Sequence, residues 1–271
     1  MKTLNWYYPA SLTEAAELVG REKIVPHAGG TGLLARGLGS ITGLIELSRL
    51  PLHDLRITPD SIEIGSLCTY RDVVNILGQA DPGHILVEAL RESATTPLRN
   101  RITVGGSIAL APPWSDITGP LLALDTELVL LGDPSGTFPV AEYLQRSELR
   151  TKTLIQSVRL TRQTGIAAHY RHVRTRNDLP AFTITVLFKV SGGLITDCRI
   201  IIVGATPRYA RQYKIENWLK QAPVDQLDDQ AIQSLIEAKF GGRRIADPVY
   251  ARHIAGIEIV RCVQRLMRNC R

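Results

Sequence analysis

Two glycine pairs stand far apart in this chain, each followed by a small hydroxyl residue. The first lies in Pro26-His27-Ala28-Gly29-Gly30-Thr31-Gly32-Leu33-Leu34. The second lies in Asn100-Arg101-Ile102-Thr103-Val104-Gly105-Gly106-Ser107-Ile108-Ala109, with Trp114-Ser115-Asp116 just beyond. A Gly-Gly pair lets backbone N–H groups turn toward one point with no Cβ atom in the way. One such run constrains little and reads equally as a plain strand-to-helix turn. Two of them, each after an apolar strand-like run, can form the two halves of a clamp around a dinucleotide pyrophosphate.

The flanking pattern is α/β at the start and changes later. Ser11-Leu12-Thr13-Glu14 is a capping box, and Leu12, Ala15, Ala16, Leu18 and Val19 give the helix an apolar face. Lys23-Ile24-Val25 and Gly43 to Leu47 read as strands, with a short helix from Leu33 to Arg36 between them. Leu55–Ile57 and Ile62–Ile64 alternate in polarity around Thr58-Pro59-Asp60-Ser61, a hairpin. Thr69 and Asp72 suit a helix start, and His84 to Arg91 is helical. Asp116 to Leu124 reads as a helix interrupted at Gly119-Pro120. Glu127–Leu131 and Leu154–Leu160 read as strands. Phe182–Val190 and Leu194–Val203, joined by Ser191-Gly192-Gly193, form a strong antiparallel hairpin, with Tyr170–Val173 a third strand. Helices follow over Tyr209–Leu219, Asp229–Lys239 and Val249–Met267. Strands followed by helices indicate a small α+β domain, so the domains are expected at 1–163 and 164–271.

Composition excludes several classes. At 271 residues, 44% hydrophobic and 21% charged, the chain fits a soluble globular protein. No apolar run is long enough for a membrane span, and Met1-Lys2-Thr3-Leu4-Asn5-Trp6 lacks the apolar core of a signal peptide. A cytoplasmic location is expected. The net charge of +6 is spread along the chain, which reads as a solvated or partner-docking surface; no nucleic acid is expected. Cys68, Cys198, Cys262 and Cys270 form no C-x-x-C pair, so an iron–sulfur cluster or structural zinc site in this chain is not expected. His169 and His172, three apart in a strand, point to opposite faces, and no metal site is expected there.

Several segments together resemble the FAD-binding medium subunit, or domain, of the molybdenum hydroxylases: the xanthine dehydrogenase, aldehyde oxidase and carbon monoxide dehydrogenase group. They are Tyr8-Pro9-Ala10-Ser11-Leu12-Thr13-Glu14-Ala15, Ala28 to Leu34, Arg99 to Ala109, Ser115-Asp116 with Leu121 to Asp125, and Tyr250-Ala251-Arg252-His253-Ile254-Ala255-Gly256. They follow the family's order over nearly the whole chain. The resemblance implies an α+β fold: two α/β subdomains, split near 50–55, forming a vanillyl-alcohol-oxidase-type FAD-binding domain. A small domain of three-stranded antiparallel sheet plus helices, of the carbon monoxide dehydrogenase flavoprotein type, would follow.

The resemblance also implies site residues. Pro26, His27, Ala28, Gly29, Gly30, Thr31, Gly32 and Leu33 would wrap the FAD pyrophosphate. Thr103, Val104, Gly105, Gly106 and Ser107 would approach its phosphates and ribityl chain. Gly32 stands where relatives often have Asp, Asn or Ser, and Ser107 replaces a frequent Asn. Asp116 would accept hydrogen bonds from the cofactor, or else cap the next helix. Ile155 would pack near the flavin, or belong to an ordinary core strand. Arg171, where relatives often carry Lys, would contact the cofactor edge or stand as a surface arginine. At Ser93 a large apolar residue that some relatives place against the adenine is missing. No catalytic acid–base residue is assigned.

The implied function is the flavin step alone. Electrons would come from clusters in an iron–sulfur small subunit, a molybdopterin large subunit would hydroxylate the substrate, and NAD, a quinone or oxygen would receive the electron pair. Two other readings stay open: a flavin-depleted docking subunit, and a stand-alone FAD reductase.

Overall fold

The structure, a computed structural model, describes residues 4–192, 194–221, 227, 229–241 and 247–268. Gly193 of the expected hairpin turn and Cys270 lie outside the described residues. The chain divides into two compact units.

The first unit takes the described residues of Met1–Ala80, with Thr95–Ala111 and Asp125–Arg162. Strands β1 (Asn5–Tyr7), β2 (Ile24–His27) and β3 (Gly43–Glu46) form a parallel sheet of order β1-β3-β2. The helix Leu12–Val19 crosses from β1 toward β2, as parallel pairing requires. Ser11 starts it: the Ser11 Oγ accepts from the Glu14 N–H at 3.1 Å, while Glu14 Oε2 accepts from the Ala10 N–H at 2.7 Å. Its buried face, Ala15, Leu18 and Val19, joins Ile45, Leu47, Leu50, Leu52 and Leu154 in one core. Ser11→Ala is expected to lower the unfolding free energy by about 1 kcal/mol, read from the denaturant midpoint at constant slope.

Strands β4 (Leu55–Ile57), β5 (Ser61–Gly65), β6 (Glu127–Gly132), β7 (Gly136–Pro139) and β8 (Thr153–Thr161) form a second sheet of order β4-β5-β8-β6-β7. Every pairing in it is antiparallel. The expectation of two α/β subdomains is therefore corrected: only the first sheet is parallel. The turns after β4 and β6 are too short for a crossover, so their strands must return antiparallel.

The second unit takes Asp81–Ala94, Pro112–Leu124 and the described residues of Gln163–Arg271. Strands β9 (Ile166–His172), β10 (Phe182–Ser191), β11 (Leu194–Val203) and β12 (Tyr209–Arg211) form an antiparallel sheet of order β12-β11-β10-β9. The expected three strands are four. Tyr209-Ala210-Arg211, read from sequence as the start of a helix, alternates half-buried, buried, half-buried and pairs with Ile201–Val203. The helix begins only at Tyr213. The helices Tyr213–Leu219, Asp229–Leu235 and Pro248–Arg268 supply Ile215, Ile232, Ile259 and Val263 to one core with Phe182, Ile184 and Ile200.

Phe182 through Phe188 are buried without a break, so both faces of β10 are covered. The helices Ile85–Arg91 and Thr118–Ala123 pack on this sheet within the unit. Gly119 lies so close to Thr185 that a Cβ would come within 2.5 Å of its Oγ1. Gly119-Pro120 does not interrupt that helix as expected. Both residues sit in its first turn, where a proline lacks only an N–H that would be unpaired anyway.

Candidate functional site

The first glycine run joins β2 to the helix Thr31–Arg36. Gly30 makes the turn with φ +74°, a left-handed conformation that favours glycine. A Cβ there would also come within 3.0 Å of His27 Nε2. Among the described residues, the N–H groups of Gly29, Gly30, Thr31, Gly32 and Leu33 have no acceptor in the chain. They are the open donors of a turn and a first helical turn, the arrangement that receives an anion.

The second run adopts a different form. It follows the helix Thr96–Arg99 rather than a strand, and the glycine pair lies inside the helix Val104–Leu110. Thr103 caps that helix, its Oγ1 accepting from the Gly106 N–H at 3.2 Å. The Val104 N–H donates to Cys68 O, the Gly105 N–H to Ser66 O and the Ser107 N–H to Thr103 O. The Ser107 hydroxyl turns back to Thr103 O at 2.9 Å. Four N–H groups expected to face a ligand are thus bonded within the chain. Gly105 serves close approach, since a Cβ would fall 2.6 Å from Ser66 Cβ.

The two runs nevertheless meet. Gly29 lies against the Arg101 backbone so closely that a Cβ would overlap the Arg101 carbonyl oxygen. The Arg101 guanidinium donates to Gly29 O at 3.3 and 3.2 Å. Gly32 packs on Leu110, and Arg36 Nη2 donates to Leu110 O at 2.8 Å. A side chain on Gly32 would displace Leu110, whose Cδ2 lies 2.6 Å from where a Cβ would stand. Ile155 is buried on β8 opposite Leu130.

His27 is fixed from behind. Its Nδ1 lies 2.9 Å from Glu46 Oε2, and Glu46 Oε1 accepts from the Ser48 N–H at 3.0 Å. Burial pushes the Glu46 carboxyl up, but the Ser48 hydrogen bonds and His27 outweigh it, so it lies below the usual carboxylate range. A carboxylate only accepts, which puts the proton of this bond on Nδ1. Sequence reading missed Glu46, Arg36 and Ser66, and quoted Arg101 without a role. Glu46 had a signal: a charged residue ending an apolar strand that pairs in register with His27.

The second unit holds Asp116, Arg171 and Ser93 together. Arg171 Nε donates to Asp116 Oδ1 at 2.8 Å, and Ser93 Oγ donates to Asp116 Oδ2 at 2.5 Å. The His169 Nε2 is 3.6 Å from Asp116 Oδ1, an electrostatic contact beyond hydrogen-bond range. Burial pushes the Asp116 carboxyl up; His169 and Arg171 outweigh it and hold it below the ordinary value. The other Arg171 nitrogens donate to the carbonyls of Glu92, Arg176 and Asp178. Arg171 is a half-buried tie between three segments rather than a surface arginine. Asp116 does not cap the next helix, whose N-cap residue is Ile117. Burial pushes the Cys68 thiol up to about 11 and those of Cys198 and Cys262 to about 12, so all three stay protonated.

A sequence model described as the FAD binding domain in molybdopterin dehydrogenase matches residues 2–162, more than half of the chain and the part that carries both glycine runs. The chain belongs to this family, as an oxidoreductase medium subunit. The family member is 24% identical over 237 residues to the glyceraldehyde dehydrogenase medium chain of Sulfolobus acidocaldarius, covering 83% of each chain. It is 26% identical over 227 residues to the carbon monoxide dehydrogenase medium chain of Hydrogenophaga pseudoflava, covering 77% of each. Among solved structures, carbon monoxide dehydrogenase from Hydrogenophaga pseudoflava superposes with a TM-score of 0.86 at 23% identity over 97% of both chains. Quinoline 2-oxidoreductase from Pseudomonas putida 86 gives 0.85 at 16% identity over 98% of both. At these identities the superpositions establish the fold.

Proposed function

We propose that this medium subunit holds FAD through the N–H groups of Gly29 to Leu33 and serves as the electron-delivering part of a molybdenum hydroxylase complex. The observation that carries the reading is the set of open N–H donors on a turn built against the second glycine run. The donor set suits a pyrophosphate, and the glycines leave space that side chains would fill. Bound FAD supplies the exchange between single-electron and electron-pair transfer. The chain's own residues shape the cradle: Gly30 turns the backbone, Arg101 and Arg36 hold the turn to the neighbouring run, and Glu46 fixes His27 beside it. The helix Val104–Leu110 supplies a wall whose N–H groups are already bonded.

In this reading an iron–sulfur small subunit feeds the flavin and a molybdopterin large subunit oxidises the substrate. The acceptor is NAD, a quinone or oxygen. No helix among the described residues is long and apolar enough to cross a membrane. Purified chain mixed with FAD and passed through a desalting column should retain one flavin per chain. A colourless chain that still binds its partner subunits would replace this reading with the docking-subunit one. Oxidation of NADPH by the flavin-loaded chain alone would favour the reductase.

A further inference from the structure

We propose that His27 takes up a proton when FAD binds, so that the His27–Glu46 pair ties cofactor retention to pH; this rests on the FAD reading above. The device is a side-chain pair, not a helix end. β2 and β3 run parallel with His27 opposite Glu46, which sets the two side chains on one face of the sheet. His27 Nδ1 and Glu46 Oε2 are 2.9 Å apart, and the Ser48 N–H holds the other carboxylate oxygen at 3.0 Å. From β1 the Trp6 ring packs against the imidazole, with centroids 5.0 Å apart at 77°. The His27 ring is thus fixed, yet its side chain stays 22% exposed, enough for a ligand to reach it.

The pair decides where a second proton goes. Glu46 accepts from Nδ1–H, so a neutral His27 carries its lone pair on Nε2. That atom lies at the glycine turn, 3.0 Å from where a Gly30 Cβ would stand. Among the described residues it has no hydrogen-bond partner. A lone pair there repels the oxygens of an anion. A proton on Nε2 makes it a donor and adds a positive charge, the form from which a phosphate oxygen accepts. The surrounding charges come from three elements. Glu46 on β3 is the counter-charge of the imidazolium. Arg101, from the second glycine run, lies on the Gly29 carbonyl. β1 brings Trp6, and the Tyr8 ring carries Arg49 at 5.8 Å. The esterified pyrophosphate of FAD keeps its charge from pH 5 to 8, so a proton gained there is the protein's. Binding that gains a proton is strongest below the histidine range and weakens as pH rises through it.

The test titrates the full-length chain with oxidised FAD by calorimetry. At pH 7, buffers of different ionisation heats report the protons gained; a series from pH 5.5 to 8.5 reports the affinity. Wild type is expected to bind with net proton uptake and to lose about tenfold in affinity per pH unit above the histidine range. His27→Gln loses both the uptake and the slope. It binds FAD about tenfold more weakly than wild type at pH 5.5, and the two converge at pH 8.5. Its circular dichroism matches the wild type. ADP-ribose, an esterified pyrophosphate without flavin, competes with FAD with the same pH slope. The wild-type buffer series needs no variant, and binding without proton uptake overturns the proposal by itself. Uptake that survives in His27→Gln overturns it too, and pH-independent competition by ADP-ribose overturns the phosphate contact. A wild-type chain that binds no FAD overturns the flavin reading itself, a result distinct from these.

Discussion

Gly29→Ala is expected to leave the chain without retained flavin, while Gly20→Ala leaves flavin binding intact. At Gly29 a Cβ would overlap the Arg101 carbonyl oxygen. That obstacle is backbone, so no side-chain rotation relieves it, and either the turn or the segment Arg101 to Thr103 must move. Both moves displace the N–H groups of Gly29 to Leu33. An affinity loss well beyond tenfold follows if three or more charge-assisted bonds are disturbed, each worth roughly 1.5–3 kcal/mol. At Gly20 the nearest atom to a Cβ is 3.8 Å away and φ is −69°, so alanine fits. Gly30→Ala is intermediate, because a left-handed φ costs an alanine roughly 1–2 kcal/mol. Flavin fluorescence titration ranks the three. Wild-type affinity in Gly29→Ala would remove the first glycine run from the cofactor site.

Arg171→Ala is expected to destabilise the second unit by roughly 3–5 kcal/mol, because it leaves the Asp116 carboxylate buried without its direct cationic partner. It also frees the carbonyls of Glu92, Arg176 and Asp178 from one shared donor group. Arg171→Lys recovers only part of this, since one ammonium cannot span four acceptors on three segments. Asp116→Asn with Arg171→Ala should cost less than the two single changes summed. The same pair sets a pH dependence. The folded-state value of Asp116 is depressed, so its stabilising contribution is complete above the unfolded carboxyl value and is lost as pH falls through the folded one. Denaturant titrations from pH 6 downward should show this acid slope in the wild type and a shallower slope in Asp116→Asn. A change under about 0.5 kcal/mol for Arg171→Ala would place it with ordinary surface substitutions. An altered flavin spectrum with unchanged stability would return Arg171 to the cofactor edge.

Local signals in the sequence located most elements. The Ser11 cap, the alternating hairpins and the long apolar periodicity of Pro248–Arg268 each depend on residues a few positions apart. Tyr209–Arg211 failed because three residues hold too little periodicity to separate a strand end from a helix start, and pairing with β11 decided it. The second glycine run failed for a related reason. Gly-Gly signals an open backbone, but whether its N–H groups stay open depends on Ser66 and Cys68, which approach from more than thirty positions upstream.

The sequence by itself therefore determined the family, the flavin cofactor class and most of the strands and helices. Caps and alternation are written in neighbouring residues, and the Ser11 cap and the two hairpins formed as read. Only the tertiary structure decided which donors remain for a ligand. Gly29 to Leu33 keep theirs, Val104 to Ser107 do not, and Arg171 spends its own on Asp116 and three carbonyls. Each N–H can serve only one strong acceptor at a time. Its availability is set by whatever the fold brings within about 3 Å, and that neighbour is rarely close in the chain.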